Sequence, residues 1–115
     1  MKVIFAVSVE FSRQFRRLAK KYPSLIDDYE TLKKDLQDDP FQGSDLGSGT
    51  RKVRMAIASK GKGKSGGARV ITLNVNQLDN ETIKISLLTI YDKGEISSVS
   101  SKYIKWLVAQ IKDKE

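Results

Sequence analysis

Seven cationic side chains, Arg51, Lys52, Arg54, Lys60, Lys62, Lys64 and Arg69, fall between positions 51 and 69 with no acidic residue among them. Of the 21 basic residues this leaves 14 elsewhere, against 14 acids, so the whole net charge of +7 belongs to one segment. Cations gathered in this way suit a polyanion. Phosphate neutralisation releases counterions, which makes such binding weaken as salt rises. The chemistry open to them is electrostatic: fixed cations can hold a phosphate and stabilise charge that grows on its oxygens. Histidine and cysteine are both absent. Their absence removes the usual general base, the commonest zinc ligand, thiolate nucleophiles and disulfides.

Local pattern predicts how these side chains are carried. Over Lys52 to Ala58, Val53, Met55 and Ile57 alternate with Lys52, Arg54 and Ala56, so a strand here buries one face and turns cations to the other. Residues 59 to 67, SKGKGKSGG, read as a mobile basic hairpin connection leading into a strand over Ala68 to Val75. Pairing of those two strands would bring Arg69 near Lys52 and Arg54. A further strand, Thr82 to Tyr91, follows an Asp79-Asn80 turn and ends beside Asp92 and Lys93.

The rest of the chain supplies the support. Val, Ile and Phe alternate over Lys2 to Glu10, a strand pattern. Phe11, Phe15, Leu18, Ala19 and Tyr22 then recur at helical spacing until Pro23. Ser24 is placed to cap a second helix, whose stripe is Leu25, Tyr29, Leu32 and Leu36 and whose acids, Asp27, Asp28, Glu30, Asp35, Asp38 and Asp39, read as its solvated side. Residues 40 to 50, with three of the eight glycines, read as a loop, and Ile104, Leu107, Val108 and Ile111 mark a C-terminal helix. The predicted layout is α+β in the order βααβββα: an antiparallel-rich sheet, two N-terminal helices on one face and a C-terminal helix. The whole chain, 1 to 115, is expected to form one domain.

Several motifs carry less than they suggest. Gly63-Lys64-Ser65 hints at a phosphate loop, but Ala58 stands where the Walker pattern needs its first glycine, and a strand rather than a helix should follow. A solvated hairpin tip is the simpler reading of that composition. Tyr91, at a strand end, reads as packing or as a ring on which an RNA base could stack. Trp106 reads as packing or a partner contact. The short apolar stretch Val3 to Val9 lacks a signal peptide's features, and no run approaches membrane-helix length, so the expected address is cytoplasmic, with no membrane partner.

The run Arg51-Lys52-Val53-Arg54, then GKGKSGGARVI at 61 to 71 and LLTIYDKGE at 87 to 95, resembles the RelE/HigB group of toxins from bacterial type II toxin-antitoxin systems, within the RelE/ParE superfamily. The segment FRRLAKKYPSL at 15 to 25 fits as well, so the resemblance covers most of the chain. It implies a RelE-like fold and a ribosome-dependent mRNA endonuclease that inhibits translation, working without metal or cofactor through attack of a ribose 2′-hydroxyl on the adjacent phosphate. By position it implies catalytic roles for five residues. Lys52 and Arg54 would bind and polarise the phosphate, Arg69 would stabilise its nonbridging oxygens, Lys93 would act near the leaving group, and Tyr91 would stack a base or move a proton. Arg51, Lys60, Lys62 and Lys64 are the expected RNA-binding residues. The implied partners are mRNA, the ribosome and a cognate antitoxin, with the toxin a monomer inside a hetero-oligomeric complex. A ParE-like gyrase inhibitor and a non-catalytic nucleic-acid-binding module are the competing readings.

Overall fold

The computed structural model describes residues 1 to 112 and is α+β. Its elements are β1 (Lys2–Val7), α1 (Val9–Lys21), α2 (Leu25–Asp38), β2 (Ser44–Gly47), β3 (Thr50–Met55), a 3-10 turn (Ala58–Lys60), β4 (Ala68–Asn76), β5 (Thr82–Asp92) and α3 (Ser101–Lys112). The five strands form one sheet in the order β1-β5-β4-β3-β2, antiparallel throughout except that β1 runs parallel to β5. The chain therefore leaves one sheet edge, crosses by the two helices to the other, and returns as a meander to the centre.

Ser8 sets the end of β1. Its hydroxyl accepts from the Phe11 amide at 2.9 Å, capping α1, so Glu10 belongs to the helix rather than to the expected longer strand. Pro23 separates α1 from α2 as expected, but the reading of Ser24 needs correction. Its hydroxyl makes no capping bond to α2; it donates to the Asp28 carboxylate at 2.7 Å and accepts from the Ser59 amide at 2.9 Å.

The first core lies between α1, α2 and one sheet face. Phe11, Leu18, Leu25, Leu32 and Leu36 meet Val53, Met55, Val70, Ile83, Ile85, Leu87 and Ile90 there, and Ile57 joins them from just beyond β3. Strand alternation puts the neighbouring residues on the opposite face. Part of that second face is core too: Ile71, Leu73, Leu88 and Tyr91 cluster with Leu107 of α3. The helices thus lie on both sides of the sheet, and β5 is covered on both, so every one of its residues except Lys84 is buried, the polar ones included.

One element was not expected. Residues 40 to 50 contain β2, which pairs with β3 through the two-residue turn Ser48-Gly49, where φ is +54° and +82°. Positive φ at both positions is what a primed hairpin turn requires. All four β2 residues are exposed, so no apolar alternation announces the strand. Among the described residues, no helix is long and apolar enough to cross a membrane.

Candidate nucleic-acid interface

The sheet register brings three of the five expected catalytic residues into one row. Arg54 on β3 pairs with Arg69 on β4, and Arg69 pairs with Tyr91 on β5. All three lie on the face that α3 only partly covers, and Lys52 stands there one row along, opposite Ile71. Directly paired residues hold their Cβ atoms about 5 Å apart. These four residues differ sharply in exposure. Arg54 is open to solvent and Lys52 half-buried, whereas Arg69 is 5 % and Tyr91 4 % exposed.

Arg69 is bonded to the backbone through both terminal guanidinium nitrogens. One guanidinium nitrogen donates to the carbonyls of Lys64 at 2.9 Å and Ala68 at 3.1 Å, and the other to that of Ser65 at 3.2 Å. It therefore fastens the basic connection to the sheet instead of projecting into solvent. Tyr91 has its hydroxyl buried with no partner among the described residues, and its ring belongs to the apolar cluster under α3, so it offers no stacking surface in this conformation. Burial pushes the Tyr91 phenol up, against the opposing pull of the Arg69 charge.

The connection between β3 and β4 is anchored at its start and its end, while its tip is solvated as expected. At its start the Ala58 amide donates to the Asp28 carboxylate, at 3.2 and 3.3 Å, and the Ser59 amide to Ser24. Asp28 is thus committed to this turn and is not part of a merely solvated helix side. At its end Gly67 is pressed against β3, where a Cβ would run into the Met55 carbonyl, and its own carbonyl accepts from the Lys93 amide at 3.0 Å. The tip, Gly61 to Ser65, stands open. Lys64 shares a small cleft with Arg54, so the tip and the sheet row meet.

Asp92 organises the remaining side. It is 1 % exposed; one carboxylate oxygen accepts from the Lys60 ammonium at 2.7 Å and from the Gly94 amide at 2.8 Å, and the other accepts from the Tyr22 hydroxyl. Burial alone would raise its pKa, but the bonds from Lys60, Tyr22 and Gly94 win and hold the carboxyl down at about 2. Arg17 and Lys21 of α1 reach the adjoining turn, pairing with Glu95 at 2.9 and 3.6 Å. Sequence pattern missed Asp92, Tyr22, Ser24 and Asp28 as parts of this assembly. Only Asp92 left a trace, an acid placed directly against the apolar run LLTIY.

The expected RNA-binding set divides accordingly. Lys62 and Lys64 are exposed, as is Lys93 of the catalytic set. Lys60 is held by Asp92. Arg51 lies with Val53 on the opposite sheet face, where its guanidinium donates to the carbonyls of Gln42 at 3.1 Å and Gly43 at 2.9 Å. Among the described residues, no group of three or more His, Cys, Asp or Glu is placed to hold a metal ion.

No protein-family model matches the chain. What the arrangement can do chemically follows from its own residues: Lys52, Arg54, Lys62, Lys64 and Lys93 are available to a polyanion, while Arg69 and Asp92 fix the backbone that carries them.

Trp106, half-exposed and stacked on Tyr103 with ring centroids 6.0 Å apart, lines a separate cleft of about 360 Å³ with Val7, Val9 and Leu107.

Proposed function

We propose that this chain is the toxin of a RelE/HigB-like toxin-antitoxin pair, an endoribonuclease that cuts mRNA on the ribosome. The observation that carries the reading is the convergence of Arg54, in register with Arg69 and Tyr91, with Lys52 and the anchored loop that presents Lys62 and Lys64. Open cations of this kind would repel one another unless an anion joins them, and a phosphodiester supplies it.

In the proposed reaction the ribose 2′-oxygen attacks the adjacent phosphorus, its proton leaves, and the bond to the 5′-oxygen breaks, giving a cyclic phosphate and a 5′-hydroxyl. Arg54 and Lys52 stabilise charge on the nonbridging oxygens, and the Lys93 ammonium gives the leaving 5′-oxygen its proton, which solvent then restores. The 2′-hydroxyl proton passes to water or to a ribosomal group, since the chain has no histidine and Tyr91 is held protonated and covered. An antitoxin segment rich in acidic residues would neutralise the same cations.

The test is to incubate the purified protein with programmed ribosomes and map mRNA 5′ ends, with gyrase supercoiling assayed beside it. Discrete new 5′-hydroxyl ends are expected. Intact mRNA with blocked supercoiling would overturn the nuclease in favour of a gyrase inhibitor, and intact mRNA with unimpaired supercoiling would leave only a binding module.

A further inference from the structure

Arg69 holds the Lys64 and Ser65 carbonyls inward, toward the sheet. No peptide bond in the described chain is cis. In a trans peptide the N–H points opposite to the C=O of the same unit. The peptide units that turn those two carbonyls in must therefore turn the Ser65 and Gly66 N–H groups out. Neither N–H meets an acceptor among the described residues. The loop is closed behind them by the Gly67 amide, which donates to the Lys64 carbonyl at 3.4 Å, and by the Ser65 hydroxyl, which donates to the Lys62 carbonyl at 3.3 Å. A Cβ on Gly66 would come within 2.6 Å of the Lys62 Cβ, so the Lys62 stem lies directly beside this peptide. Lys64, next to Ser65 in the chain, shares a small cleft with Arg54 that Asp28 and Asp35 of α2 also line.

Adjacent outward amides between cationic side chains form a concavity suited to an oxyanion. We propose that the Ser65 and Gly66 amides are a phosphate seat, and that Arg69 is a positioning residue that shapes the seat from beneath without touching the ligand. The ligand class is a phosphate oxyanion, and its identification with an RNA phosphodiester rests on the nuclease reading above. The proposal gives a buried, bonded arginine a purpose that contact with substrate does not, and it assigns anion recognition to backbone groups that no side-chain motif reveals.

The experiment is a ¹⁵N–¹H titration of the full chain with inorganic phosphate, and separately with an RNA oligonucleotide whose 2′-hydroxyls are replaced by hydrogen, both against matched chloride. Ser65 and Gly66 are expected to show saturable shifts with both probes. A response to inorganic phosphate alone makes it a free-anion site and overturns the RNA assignment, while no response at either amide overturns the seat. In Arg69→Lys, which cannot fork across two carbonyls, the apparent Kd read at these amides should rise about tenfold, the worth of a charged hydrogen bond or so. An unchanged Kd in a variant with a native-like spectrum overturns the role given to Arg69. If Arg69→Lys does not fold, Ser65→Pro, which deletes one N–H at an exposed position, carries the test: undiminished binding there overturns the seat. Cleavage on programmed ribosomes with the same preparations separates the two ideas. Responsive amides without cleavage keep the seat and sink the nuclease; cleavage with silent amides sinks the seat alone.

Discussion

The root and the tip of the basic connection have the same composition and opposite physical states. At the root, Lys60 donates to a carboxylate that is almost wholly buried, and Arg69 donates to three carbonyls. At the tip, Lys62 and Lys64 are open to solvent and held in place only through the backbone beneath them. A linear count of charge gives every one of these residues equal weight. Their surroundings do not: a buried cation with satisfied donors builds structure, and an exposed one beside like charges is available to a ligand. The contrast predicts that root substitutions unfold or loosen the protein, whereas tip and sheet-face substitutions weaken RNA handling at constant stability.

The strongest way to break the contrast is Asp92→Ala. The change strands the Lys60 ammonium, whose side chain is 13 % exposed, and removes the acceptor for the Tyr22 hydroxyl and Gly94 amide. Breaking a buried pair from one side costs about 3 kcal/mol or more. Urea unfolding monitored by circular dichroism should register that loss. A midpoint shift worth less than about 1 kcal/mol, the level of an exposed pair, would show that the root is no firmer than the tip.

Arg54→Ala attacks the other side of the comparison. Arg54 is exposed and makes no hydrogen bond or ion pair within the described residues, so its removal should leave the urea midpoint within about 0.5 kcal/mol of wild type. Cleavage on programmed ribosomes should nonetheless fall about 100-fold, the usual consequence of losing one donor to a developing oxyanion. Equal cleavage rates at matched ribosome binding would remove Arg54 from the site.

Much of this arrangement could be read from the chain beforehand, and the reasons differ by element. Strands β3, β4 and β5 and the helices α1, α2 and α3 bury at least one regular stripe, so periodicity exposes them. Strand β2 buries nothing and escapes the same test. The alternation of Val53 and Met55 with Lys52 and Arg54 correctly separated the two sheet faces, and strand pairing then placed Arg69 opposite Arg54. What pattern could not reach were partnerships across long sequence separations. Ser24 with Ser59, Asp28 with Ala58 and Tyr22 with Asp92 depend on where α1 and α2 pack, and nothing local distinguishes Asp28 from its solvated neighbours Asp27 and Glu30. Arg51 is different: the same alternation puts it with Val53, on the face opposite Lys52 and Arg54, so its place was legible and only its partners were not.

Acid titration sharpens the root further. The folded-state pKa of Asp92 is depressed, from 3.8 to about 2, so its contribution to stability is fully present above the unfolded value and disappears as pH falls through the folded one. The shift corresponds to about 2 kcal/mol, lost between about pH 5 and pH 2. Glu10, Asp79 and Glu95 are also held below their ordinary values and contribute to the same acid loss, so the measurement is the difference between wild type and Asp92→Asn. The gap between their unfolding free energies should narrow by about 2 kcal/mol over that range. Parallel curves would mean that the Lys60 and Tyr22 bonds do not hold the carboxylate charged.

The smallest effect is the most specific to the tip. Each single-strand phosphate contact neutralised by a lysine contributes about 0.7 to the slope of log K against log salt. Lys62→Ala and Lys64→Ala should therefore each flatten the salt dependence of RNA oligonucleotide binding by about that amount and lower affinity only a few-fold near physiological salt. Arg51→Ala removes the same formal charge from the same stretch of sequence, but its guanidinium is spent on the Gln42 and Gly43 carbonyls on the far side of the sheet. Its slope should match wild type, while the 42–52 hairpin loses about 1 kcal/mol of support. If Arg51→Ala flattens the slope as much as the two tip lysines do, the RNA does not distinguish the two faces, and long-range attraction to net charge, not a built site, explains binding. If only the tip variants do, the seven clustered cations are two populations, and position in the fold decides which of them meets the ligand.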